Sequence, residues 1–216
     1  MKPGEMIDAF DPADGPPPER LRPFIGWALK GSGPALAAGS VVSIVAGVAE
    51  IMGAIILGWV IDAALSSGQG EVFSTTGIIV FAVLFFLAIR PVLFGLNAMF
   101  QNLVVAPNLM TMTLQRLHRY TLGQAVTFFD NDYAGRISQK EMQTARALTD
   151  PVVEALQTVF FALASVIGAI LLLGAVDIRI SMAVAVWMVA YLFMIRYFMP
   201  RIRVRSKARA AARANV

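Results

Sequence analysis

The sequence predicts an all-α membrane protein with four transmembrane helices and long cytoplasmic extensions. Three observations carry that expectation. Of its 216 residues, 57% are hydrophobic and 15% charged, with a mean hydropathy of +0.68, whereas soluble domains run near 45–50% apolar and about 25% charged. Four apolar runs reach the roughly 20 residues that a helix needs to cross a bilayer. Lysine and arginine alternate between the segments that join those runs, as they do between the two sides of a membrane. The same composition excludes a disordered chain, which needs low hydrophobicity. The absence of cysteine excludes a disulfide scaffold, a cysteine nucleophile and a thiolate metal site, and a single histidine excludes a multi-histidine centre.

Residues 1–18 contain Pro16-Pro17-Pro18, and the first twenty positions hold five acids. They read as a disordered cytoplasmic tail with no cleaved signal peptide, which would show a basic start and a short apolar core. Over residues 19–33, Leu21, Phe24, Ile25, Trp27 and Leu29 alternate with Arg20, Arg22 and Lys30. That pattern predicts a short amphipathic helix on the inner surface, with Trp27 and the arginines in the headgroups; a loop with a few apolar residues is the alternative. Residues 34–216 form the membrane domain, with spans at about 35–61, 77–100, 152–176 and 178–199. The second span carries Arg90-Pro91 and the fourth carries Arg196.

The basic residues orient the spans. Lys2, Arg20, Arg22 and Lys30 precede span one, and none lies between Asp62 and Thr76. Arg116, Arg119, Arg136, Lys140 and Arg146 lie between Pro107 and Asp150; Arg179 alone separates spans three and four. Six more follow from Arg201 to Arg213. Both termini and the middle segment are therefore expected in the cytoplasm.

That middle segment, about 107–150, keeps helical spacing although it is too polar for lipid. Met110, Leu114, Leu117 and Thr121 form one stripe, with Gln115, Arg116, His118 and Arg119 away from it. Span two is thus expected to continue to about Gln124 as one helix, on the order of 70 Å from Gly77, kinked by Pro91 and Pro107. The turn-forming run Phe128-Phe129-Asp130-Asn131-Asp132-Tyr133-Ala134-Gly135 breaks it, and Met142, Ala145, Leu148 and Val152 resume the spacing. A helical hairpin with an aromatic and acidic tip results. Span four is expected to run on through Arg201, Arg205 and Arg209.

The stretch Leu117–Asp150 resembles the first intracellular loop of ATP-binding-cassette (ABC) exporters, whose pattern of two aromatics, an acid, a polar stretch, Gly, a small or basic residue and Ile is matched by Phe128, Phe129, Asp130, Gly135, Arg136 and Ile137. Arg22-Pro23-Phe24 resembles that family's elbow helix, and Gly58–Asp62 the end of its first span. The resemblance covers about residues 20–216 and implies part of a six-helix exporter-type transmembrane domain. It implies that the tip, Phe128, Phe129, Asp130, Asn131, Asp132, Tyr133 and Gly135, touches nucleotide-binding domains. It also implies a second transmembrane domain in a dimer, an amphipathic substrate, and ATP with Mg at the nucleotide-binding domains, with no cofactor on this chain. Without the resemblance the tip would read as a solvated loop.

The chain departs from the family in having four spans and no ATPase domain. A P-loop needs G-x-x-x-x-G-K-[ST]; Lys2, Lys30, Lys140 and Lys207 neither follow Gly nor precede Ser or Thr. The chain is therefore not an ATPase by itself. It is expected to be a C-terminally truncated product, with completion by another chain as the alternative.

Two charged residues fall inside spans. Glu50 lies near the centre of span one and Arg90 midway along span two, where an ionised group costs at least about 2.5–3.5 kcal/mol on insertion scales for Asp or Arg. Glu50 reads as a substrate contact, a proton-binding carboxylate or a structural hydrogen-bonding group. Arg90 reads as its ion-pair partner, an anion contact or a hydrated cavity residue. His118 carries no assigned role, no metal ligand set is present, and the basic tail suits anionic headgroups rather than nucleic acid. The expected function is the membrane part of an ATP-driven exporter in a bacterial inner membrane. Its rivals are a proton-coupled four-span secondary carrier using Glu50 and a non-transporting membrane scaffold.

Overall fold

The computed structural model describes residues 6–13, 15–66, 72–130 and 134–214, with side chains described at 6–13, 15–65, 76–129 and 135–202. All regular structure among them is helical: α1 Leu21–Leu29, α2 Gly33–Ser66, α3 Val72–Leu84, α4 Arg90–Met99, α5 Ala106–Leu122, α6 Val126–Asp130, α7 Ala134–Glu154, α8 Phe161–Val176 and α9 Ile178–Ala214. Four stretches are long and apolar enough to cross a membrane: Gly33–Leu65, Thr76–Leu122, Gly135–Val176 and Ile178–Ile202. The protein is an all-α, multi-pass membrane protein.

π-helical turns join α3 to α4 (Phe85–Ile89), α4 to α5 (Phe100–Val105) and α7 to α8 (Ala155–Phe160). The first two end one residue before Arg90-Pro91 and Ala106-Pro107. Proline lacks an amide hydrogen and its ring collides with the carbonyl four residues back. A wider turn just ahead of it removes that conflict: the Arg90 amide reaches back five residues to Phe85 O, and the Ala106 amide to Gln101 O. Where the sequence predicts kinks, the helix thus carries local π turns.

The chain divides into two compact units, Met1–Ser165 and Val166–Val216. In the first, α2 packs on α3, α4 and the π turns at 100–105 and 155–160, α5 packs on α7, and α1 packs on α5. One core joins Ala49, Ile56, Ala82 and Phe85; another joins Ile7, Ala35, Leu109 and Met112. In the second unit, α8 and α9 connect through Asp177, whose amide bonds Leu173 O at 2.8 Å and whose carboxylate caps the Arg179 amide at 2.8 Å. Ser181 Oγ donates to Ile170 O at 2.8 Å beside Gly174.

Two sequence expectations need correction. Residues 6–13 do not hang free as a tail: Ile7 is buried against Ala35, Leu109 and Met112, because the apolar Met6-Ile7 pair finds a pocket at the foot of α2. In α5 the buried face is Leu109, Met112, Thr113 and Arg116 rather than the half-buried Met110, Leu114, Leu117 and Thr121. The four buried residues also follow i, i+3, i+4 and i+7; ending in arginine, they do not register as an apolar stripe.

Candidate functional site: an intramembrane polar seam and a helical hairpin

Glu50 and Arg90 meet on the facing sides of α2 and α4. Arg90 Nη2 donates to Glu50 Oε2 at 2.7 Å. The Arg90 guanidinium also lies over Phe86 and Phe94, 5.9 and 5.5 Å from the ring centroids. These rings stand one helical turn before and after Arg90, so the cation is met by π faces on both sides and by a carboxylate in front. The side chains keep 36% (Arg90) and 42% (Glu50) of their surface, so the pair is reachable from outside the α2–α4 contact.

The pair belongs to a longer polar seam. Seven residues earlier on α2, Ser43 Oγ donates to Asn97 Oδ1 at 3.0 Å, and Asn97 lies seven residues after Arg90. Gln101 Nε2 donates to Gly39 O at 3.1 Å and to Ser43 Oγ at 3.2 Å, while Gln101 Oε1 is buried without a partner. Glycines bring the backbones close. A Cβ at Gly39 would stand 3.1 Å from Gln101 Nε2, and one at Gly47 would stand 2.7 Å from the carbonyl oxygen of Phe161. Ser165 Oγ donates to Gly47 O at 3.4 Å there. Small residues and interhelical hydrogen bonds take over from the hydrophobic effect where the solvent is itself hydrocarbon.

Further along α5, Arg116 ties α1 and the N-terminal segment to that helix. Its Nη1 donates to the carbonyls of Trp27 (2.9 Å) and Ala28 (3.0 Å), and its Nη2 to Lys30 O (2.8 Å) and Asp11 Oδ2 (3.2 Å). Nε donates to Asp11 O at 3.2 Å. A cation at the carbonyl end of α1 answers both the unpaired carbonyls and the helix dipole. The adjoining turn needs Gly31, which has φ +90 and would set a Cβ 3.0 Å from Asp11 Oδ2. The sequence sets Arg116 away from the Met110–Thr121 stripe, and in the structure it is this buried anchor.

Beyond it, α5 and α7 run as the arms of a hairpin, bridged by His118 Nδ1 and Glu141 Oε2 at 3.2 Å. The tip begins with α6, where Phe128 and Phe129 pack edge to face at 5.3 Å; Val126 and Phe128 are exposed there, as is Leu122 at the end of α5. The Asp130 side chain and all of Asn131, Asp132 and Tyr133 lie outside the described residues, as does the Ala134 side chain; Gly135 is at the start of α7. The structure thus brings Glu50 and Arg90 together and sets Phe128, Phe129 and Gly135 apart from them along the chain's long helices. Among the described residues no cluster of three His, Asp or Glu is arranged to hold a metal ion.

A family model described as the ABC transporter transmembrane region matches residues 36–216. A protein of Haemophilus influenzae called an uncharacterized ABC transporter ATP-binding protein is 30% identical over 97 residues, which cover 45% of this chain and 16% of that protein. No solved structure matches the chain.

Proposed function

The chain belongs to the ABC transporter transmembrane region family, and from that premise we propose that it forms part of the translocation pathway of an ATP-driven exporter. The α5–α7 hairpin is the element that couples this pathway to nucleotide-binding domains, which bind and hydrolyse ATP with Mg. The observation that carries the reading is the hairpin's exposed aromatic tip, with Val126 76% and Phe128 46% exposed at the end of a polar helical projection. Apolar side chains at the end of a polar arm call for a partner that buries them, and Phe128, Phe129 and the acids Asp130 and Asp132 supply contact area and register for one.

The lysine and arginine distribution supports both termini and the hairpin on the cytoplasmic side, in a bacterial inner membrane. The substrate is amphipathic and the working assembly is a dimer of transmembrane domains. In this assembly Glu50 and Arg90 hold α2 to α4, and the exposed part of the pair faces the pathway.

Because residues 1–216 hold no cysteine, a cysteine at Phe128 gives a single cross-linking site within this part of the assembled transporter. Cross-links to the nucleotide-binding domain are expected. Phe129→Ala is expected to lower transport by about tenfold or more while ATP hydrolysis persists, the signature of an interface aromatic worth about 1.4 kcal/mol or more. Unchanged transport in that variant contradicts the coupling role. Transport that survives ATP depletion but stops with an uncoupler points instead to a proton-coupled carrier working through Glu50.

A further inference from the structure

A cavity of about 200 Å³ opens beside the Arg116 anchor, between the N-terminal segment, α1 and α5, with Gly15, Trp27, Arg116, Arg119 and Tyr120 in its wall. Its polar groups fall into two sets. The first is fully engaged: Arg116 directs all five of its N–H bonds to backbone carbonyls and Asp11, and the Trp27 indole N–H donates to Gly15 O at 3.3 Å. These groups build the wall. The second set is uncommitted: the Arg119 guanidinium and the Tyr120 hydroxyl make no hydrogen bond or ion pair among the described residues, and both residues are exposed. Asp11 pairs with Arg116, and no acid among the described residues pairs with Arg119. Asp14, the other acid of this stretch, lies outside the described residues.

We propose that this cavity binds a phosphate-bearing anion of headgroup size, held by the Arg119 guanidinium and the Tyr120 hydroxyl against the Trp27 ring. A planar, permanently charged fork suits phosphate oxygens, and an indole beside it suits the glyceryl or apolar part. The volume lies below that of pockets for drug-sized ligands and matches a small anion. Its level in the membrane admits two sources. Ala35, at the foot of α2, packs against Leu109, and Arg119 lies ten residues further along α5, about 15 Å at 1.5 Å per residue. The headgroup region is about 5–8 Å thick on each side, so Arg119 stands just outside it, open to a soluble phosphate ester and to a phospholipid headgroup lifted towards the cavity. The proposal stands independently of the exporter reading.

The test uses the full chain in phosphatidylcholine nanodiscs, with Trp59→Phe and Trp187→Phe leaving Trp27 as the fluorescent reporter. Glycerol 3-phosphate and a short-chain phosphatidylglycerol are titrated separately, with short-chain phosphatidylcholine as the neutral control. A saturable Trp27 change with the anionic lipid alone identifies a headgroup site, and one with both probes identifies a phosphate-ester site. Arg119→Gln is expected to weaken binding on the order of tenfold, in line with loss of a charge-assisted hydrogen bond. Arg119→Lys is expected to retain part of the affinity, which separates loss of the ligand from loss of the fold. No saturable change with either anion, an equal response to phosphatidylcholine, or affinity unaffected by Arg119→Gln overturns the proposal.

Discussion

The Glu50–Arg90 pair makes a quantitative prediction. Counted from Ala35, Glu50 lies about 22 Å along a span of about 40 Å at 1.5 Å per residue, near its middle. At the observed 2.7 Å and an effective dielectric constant near 20, the gross attraction is about 6 kcal/mol, most of it offset by taking both charges out of water. Removing one partner is the informative perturbation. Glu50→Gln strands an arginine that cannot release its proton, at about 2.5–3.5 kcal/mol on insertion scales. Cation–π contact with Phe86 and Phe94 returns about 0.5–1 kcal/mol each, so a net loss of about 2 kcal/mol is expected. Arg90→Gln strands a carboxylate, and acids cost less than arginine or lysine within a bilayer, so a smaller loss of about 1–2 kcal/mol is expected. The double variant leaves two neutral amides able to bond each other and is expected to lose about 1–2 kcal/mol rather than the sum of about 3–4. The assay is equilibrium unfolding of the purified chain in mixed micelles by SDS titration, followed by far-ultraviolet circular dichroism. Losses that add within about 0.5 kcal/mol refute the reasoning.

Three further outcomes follow from the same contacts. Gly47→Ala drives a Cβ to 2.7 Å from the carbonyl oxygen of Phe161 and 2.8 Å from Ala164 Cβ and is expected to cost about 1–3 kcal/mol in the same titration; Gly58→Ala, with nothing within 4 Å, is expected to be neutral or slightly stabilising, and equal effects would show that α2 does not pack as described. Arg116→Leu removes a five-bond anchor and is expected to speed limited proteolysis within residues 6–30 by about tenfold or more, since each charge-assisted bond contributes about 1.5–3 kcal/mol; an unchanged rate would show that α1 is held by other contacts. Gln101→Leu removes two interhelical bonds together with the unpartnered Oε1, and a change within about 1 kcal/mol is expected in the SDS titration because such bonds average about 0.6 kcal/mol in membranes.

The spans were legible in the sequence because a bilayer demands long apolar runs, and the Glu50–Arg90 encounter because a charge inside a span must find a partner. Neutral polar residues carry no such demand. Ser43, Asn97 and Gln101 are as compatible with a lone helix as with a seam, so only the packed structure selects them. Arg116 was hidden for a different reason. Two faces of α5 have helical spacing, and the more apolar one, through Leu114 and Leu117, is the less buried. A guanidinium belongs to the buried face only because the carbonyls of Trp27, Ala28 and Lys30 lie there, and they come from a helix nearly ninety residues away in sequence. The π turns left a partial trace in Pro91 and Pro107: a proline within a long apolar helix marks a conflict, but its resolution as a kink or as a wider turn is decided by the neighbours.

Those π turns bear on how a push at the hairpin tip would reach the membrane. Thr76–Leu122 is one helical stretch of 47 residues, about 70 Å at 1.5 Å per residue, and it carries Arg90, Asn97 and Gln101 in the bilayer and Arg116 beyond it. A regular helix of that length would pass displacement of its Leu122 end directly to Arg90. Each π turn replaces bonds of the regular ladder with longer i→i+5 bonds, as at Phe85–Arg90 and Gln101–Ala106, and so is a place where rotation can be taken up. Both flank α4, the segment whose polar side chains hold α2. On the coupling role proposed above, α4 is expected to stay fixed to α2 through the seam while α5, fixed to α1 through Arg116, moves with the hairpin and the turn at Phe100–Val105 absorbs the difference. Site-directed spin labels at Met99 and Leu103, both exposed, test this in the assembled transporter. Their separation is expected to change with nucleotide while that between labels at Val48 and Val92 does not. The reverse pattern would place the hinge in the seam itself.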